Sequence, residues 1–141
     1  SWELAPPAGS ALLPQTPGNK AWVTTAEGYT RDLELSWLQS PCFDFSNLIR
    51  PQLSFALSHD LGDGARFFVE YRTGNTGPWQ LLGSTFSGTN WYNSPNTRIG
   101  WAGRSNGWVN VSHDLSMLAG QNAVQFRLVF HNLTDSLTVQ R

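Results

Sequence analysis

Residues 51–83, "PQLSFALSHDLGDGARFFVEYRTGNTGPWQLLG", carry three runs of β-forming residues separated by two turn signals. In "QLSFALS" (52–58), Leu53, Phe55 and Leu57 recur at every second position, the period of a strand with one buried face. "ARFFVEYR" (65–72) and "WQLLG" (79–83) follow, and "GDG" and "GNTGP" between them supply residues that turn a chain sharply. Outward from this segment the pattern repeats. "KAWVTT" (20–25), "LSWLQS" (35–40), "GWVNVSHDL" (107–115) and "AVQFRLVFH" (123–131) are short and β-rich, and Phe126, Leu128 and Phe130 alternate in the last. "PPAG", "TPGN" and "SGTN" add further punctuation, and "DLSMLAGQ" (114–121) has room for one helical turn, capped by Asp114 and ended by Gly120. Short strands with frequent turns predict an all-β, antiparallel β-sandwich of about eight to ten strands. Leu53, Phe55, Leu57, Phe68, Phe126, Leu128 and Phe130 are its expected core, with Trp22, Trp37 and Trp108 in the core or at its rim.

A chain of 141 residues is one domain with one substantial core. Charged residues are 13% of it, about half the usual share. At 13% aromatic, it is too apolar for a disordered segment. The net charge of −1 argues against bulk electrostatic capture of nucleic acid or of an anionic membrane. Membrane insertion is not expected, because no apolar run reaches the roughly 18 residues of a span. Cys42 is the one cysteine, so an internal disulfide is excluded, and its expected place is the interior. The opening "SWELAPPAG" reads as a module cut from something longer.

The residues that could support catalysis are poorly arranged for it. Glycosidase chemistry needs two carboxylates across a cleft, whereas Asp60 and Asp63 share a turn-forming loop. Ser112, His113 and Asp114 are consecutive, so on a strand they point to alternating faces and cannot form a relay. His59, His113 and His131 lack zinc-ligand spacing. No enzyme is expected. The sequons at Asn110 and Asn132 fall within strands or at their ends and read as chance.

Residues 91–108, "WYNSPNTRIGWAGRSNGW", raise a different possibility. Trp91, Tyr92 and Trp101 lie among glycine, asparagine and serine, with no strand period. Either the rings cover an open end of the sandwich or they face outward. An outward indole offers an apolar platform with an N–H donor, which suits sugar rings, and Asn90, Asn93 and Arg98 are then placed to bond hydroxyls. The second reading predicts long loops over 86–106 with at least one ring exposed. Separately, Asp32 and Glu34 in "RDLELSW" are two apart, so both can project from one face as calcium ligands.

"SWELAPPAG", "GNKAWVT", "SWLQSPCFDFSNL", "PQLSF", "WYNS" and "HDLSMLAGQNAVQFRLVF" occur in an order that resembles the bacterial MAM-like domains, over almost the whole chain. The resemblance implies a jelly-roll module spanning 1–141, non-catalytic, appended to a larger extracellular or cell-surface protein. Together with the indole platform above, this predicts a carbohydrate-binding role with a polysaccharide or glycan as partner. The alternative, if the rings pack instead of binding, is a protein–protein interaction or spacer domain, in a bacterial adhesin or secreted protease, that meets neighbouring domains of the parent. The resemblance also implies a structural calcium ion where a strand carrying Asp32 and Glu34 meets an acidic C-terminal strand. This chain ends in "SLTVQR" without that strand, which predicts an open, unpaired edge along residues 124–130.

Overall fold

The computed structural model describes residues 3–5, 21–23, 35–62 and 64–132, giving backbone alone for the first two segments and for Asn96 and Asn132. Every run named above contains a strand among its described residues. The strands are β1 (Glu3–Ala5), β2 (Ala21–Val23), β3 (Leu35–Gln39), β4 (Gln52–Leu57), β5 (Ala65–Thr73), β6 (Gln80–Leu81), β7 (Val109–Asp114) and β8 (Val124–Asn132). The short β1 is the one described strand that the sequence pattern does not announce. All pairings are antiparallel, in sheets ordered β1-β2, β3-β8-β5-β6 and β4-β7. The protein is all-β and sandwich-like. The helical turn reduces to a 3-10 turn at Ser116–Leu118, with Leu115 rather than Asp114 at its cap position.

Alternation explains the core. Ala65, Phe67 and Val69 of β5 and Val124, Phe126 and Phe130 of β8 turn to one face, where they meet Leu57 of β4 and Val111 of β7. Phe67 and Phe130 stand opposite one another in register, with ring centroids 5.2 Å apart. All seven expected core residues are buried or half-buried, three of them (Leu57, Phe126 and Phe130) fully. Fully burying a side chain of this size contributes about 1.5–3 kcal/mol relative to leaving it exposed.

Further expectations need correction. The segment 124–130 is not an open edge. β8 pairs with β5 from Ala65↔Asn132 to Thr73↔Val124 and on its other side with β3 from Leu35↔His131 to Gln39↔Arg127. β3 returns to occupy the side expected to be free. Cys42 is exposed, because the connection after β3 sends Phe43 and Phe45 rather than the thiol onto Phe126. Trp37 is 49% exposed on β3 and Trp108 is half-buried, while the side chain of Trp22 lies outside the described residues.

Candidate functional site

Residues 86–106 form loops with a single 3-10 turn at Asn96–Arg98, as expected, but of their aromatic rings only Phe86 faces solvent, and the three singled out by the sequence do not. Trp91, Tyr92 and Trp101 are 0%, 1% and 3% exposed. Their positions follow from backbone geometry. Asn90 and Tyr92 adopt positive φ, 51° and 45°, so the chain bends at each and two consecutive rings turn to the same side. Trp101 is drawn in by an isolated bridge to Phe67, with Trp101 N–H donating to Phe67 O at 2.8 Å and Phe67 N–H to Trp101 O at 3.0 Å. The three rings pack edge-to-face or tilted on one another at 4.8–5.2 Å.

Their polar atoms are satisfied internally. Trp91 Nε1 donates to Leu82 O at 3.1 Å, Trp101 Nε1 to Asn90 O at 2.9 Å, and the Tyr92 hydroxyl to Leu82 O at 2.7 Å while accepting from Val69 N–H at 3.1 Å. Burial drives the Tyr92 hydroxyl pKa far up, so it stays protonated. The expected exposed platform is therefore a plug, and its ring faces are covered by protein.

The polar residues grouped with it are exposed but committed to the loop. Asn90 Nδ2 donates to Asn110 O at 3.0 Å. Asn93 clasps Ala102 through both amide atoms, at 3.1 and 2.8 Å. Arg98 Nη2 donates to Gly64 O at 2.6 Å. Asp32 and Glu34 lie outside the described residues, as does Asp63.

An exposed indole lies elsewhere, on the outer face of the four-stranded sheet. Alternation that buries Phe67 and Phe126 turns Phe68, Glu70 and Arg72 of β5, Gln125, Arg127 and Val129 of β8, and Leu35 and Trp37 of β3 outward. Arg127 is the hub. Its guanidinium lies 5.1 Å from the Trp37 ring centroid and 4.5 Å from that of Trp79, which precedes β6. It also holds Glu70 Oε1 through Nε at 2.7 Å and Nη2 at 2.6 Å. Arg72 lies 4.6 Å from Trp79 and donates twice to Gln125 Oε1, at 3.0 and 2.8 Å. Gln125 Nε2 in turn donates to Ser40 O at 2.9 Å. Val129, opposite both Trp37 and Phe68, is 3% exposed although it faces away from the core.

The result is a fixed surface with one half-exposed indole, a second indole beside it, and cationic, anionic and amide groups between them. Sequence reasoning placed Trp37 in the core or at its rim and missed Trp79, Arg127, Glu70, Arg72 and Gln125. The legible signal was the polar half of the alternation in "VQFRLVFH", where Gln125 and Arg127 share a face. The outer face of β4 and β7 has a shallow hollow of about 390 Å³ with hydroxyl and amide groups from Ser54, Thr89, Asn110 and Ser112 but no exposed ring. Among the described residues no group of three or more His, Cys, Asp or Glu side chains is gathered as a metal site. Among the described residues no helix is long and apolar enough to cross a membrane.

Comparison of the chain with family models, curated proteins and solved structures finds no match.

Proposed function

We propose that the chain is a jelly-roll binding module of the MAM-like kind that captures carbohydrate on the outer face of its four-stranded sheet. In this reading it serves as an extracellular or cell-surface appendage of a larger protein. The observation that carries the proposal is Trp37, 49% exposed on a strand and held beside Arg127. An indole face receives the C–H side of a sugar ring, and neighbouring guanidinium, carboxylate and amide groups bond its hydroxyls. Because Arg127, Glu70, Arg72 and Gln125 already hold one another, the face needs little ordering when a ligand arrives, which lowers the cost of binding.

A glycan array with the intact chain tests this directly, repeated with Trp37→Ala and Trp79→Ala. Binding to at least one polysaccharide that both substitutions weaken supports the reading. No glycan bound, or binding indifferent to both rings, overturns it. Leu35, 58% exposed beside Trp37 on the same strand, favours a second reading in which the face meets an apolar patch on a neighbouring protein domain. A silent glycan array would leave that reading in its place.

A further inference from the structure

Ser87 and His113 come together at the surface although 26 residues separate them, with Ser87 Oγ 2.8 Å from His113 Nε2. The protons on this pair follow from its other partners. His113 Nδ1 lies 2.6 Å from the carbonyl oxygen of Asp114, which only accepts, so in the neutral ring Nδ1 carries the hydrogen. Nε2 is then a lone pair, and the Ser87 hydroxyl donates to it. The backbone N–H of Ser84 donates to Ser87 Oγ at 2.9 Å, which leaves the hydroxyl proton for the imidazole. A hydroxyl, an imidazole base and a group that fixes the base's tautomer thus stand in sequence, the arrangement that activates a serine oxygen.

The surroundings hold this geometry in place. The Trp91 ring packs edge-on against the imidazole at 5.0 Å. Gly83 backs the pair so closely that a β-carbon there would lie 2.6 Å from both His113 Nε2 and Ser87 Oγ. Phe86, immediately before Ser87, has φ of 63°, an uncommon conformation for a bulky residue. The amides of Ser87 and Thr89 are committed to Ser84 O and Ser112 O, whereas that of Gly88 makes no backbone bond among the described residues. Asp114 contributes its carbonyl and not its carboxylate, which instead accepts from Ser116 Oγ.

We propose that Ser87 is a nucleophile activated by His113 and reactive toward ester-type electrophiles. With a carboxylic ester, Ser87 Oγ bonds to the acyl carbon as its proton passes to His113 Nε2. The ester C–O bond then breaks and the leaving alkoxide takes that proton. Water, deprotonated by the same nitrogen, returns the acyl group as a carboxylic acid and restores the serine. This activity is independent of the sheet face that holds Trp37.

The test is reaction of the native chain with a fluorophosphonate probe, in which an Oγ–P bond forms, the P–F bond breaks and fluoride leaves. Intact mass and peptide mapping read the product. One adduct per chain on Ser87 is expected, with none on heat-denatured protein or on Ser87→Ala. His113→Asn should react about a hundredfold or more slowly, the scale of a lost general base. Absence of an adduct on the native chain, an adduct only at other residues, or equal labelling of native and denatured protein overturns the proposal. So does a folded His113→Asn variant that reacts at the wild-type rate. The native-versus-denatured comparison needs no variant and stands even if His113→Asn does not fold.

Discussion

Trp91 and Tyr92 are consecutive in the chain, yet both rings point into the core, with centroids 5.2 Å apart. On a regular strand neighbours face opposite ways. Here the positive φ of Asn90 and Tyr92 makes a plug from a loop. Trp91→Ala and Trp101→Ala should each cost about 3–5 kcal/mol, as removal of a core aromatic does. Urea denaturation measures this, and a loss below about 1 kcal/mol would be inconsistent with a packed ring.

Tyr92→Phe isolates the hydroxyl. The group joins Leu82 O and Val69 N–H across the junction of β5 and β6, and its removal leaves those buried groups with one partner fewer. The expected cost is about 1–3 kcal/mol. The same denaturation experiment reads it, and wild-type stability would show that water or rearrangement replaces the hydroxyl.

Trp37→Ala should separate binding from stability in the opposite sense. Losing one ring–guanidinium contact at a half-exposed site costs about 1 kcal/mol or less. Loss of a stacking platform typically costs about 1–3 kcal/mol of binding, a roughly tenfold or greater fall in affinity. Parallel melting and polysaccharide titration of the variant check both halves.

Acid should weaken the fold before the carboxylates titrate. His59 is buried, with Nδ1 2.8 Å from Gly103 O, and burial holds its pKa below the ordinary 6.5. Below that value the unfolded chain takes up a proton that the folded chain refuses, so stability falls as pH drops through about 6.5 toward the folded-state pKa. His131 is shifted the same way by burial and by Arg66 and Arg98. The urea midpoint should be lower at about pH 5.5 than at about 7.5, and His59→Gln should flatten part of that slope. An unchanged slope in the variant would remove His59 as a cause.

The strands were legible because a period of two is written directly into "QLSFALS" and "AVQFRLVFH". Which strands neighbour one another was not, since alternation marks a face and carries no record of the partner. That is why residues 124–130 read as an edge when β3 pairs along them. Trp91 and Trp37 were misplaced for a related reason. Glycine, asparagine and serine around Trp91 suggested solvent, but they provide the turns that bring the ring inside. Trp37 sits among strand formers and suggested the core or its rim, but strand register turns it outward. The Ser87–His113 pair joins a loop to a strand and has no local signature at all.

The central place of β8 has a consequence for how the chain is made. Strands β3 and β5 leave the ribosome before β8, and they are not hydrogen-bonded to each other in the finished sheet; each is bonded to β8. Until that segment emerges, β3 lacks a partner in the sheet and β5 has only the short β6. The four-stranded sheet therefore assembles around a late insertion. Its pairings join distant parts of the sequence, which slows folding. The nascent chain is then most exposed to misassembly just before residues 124–132 arrive.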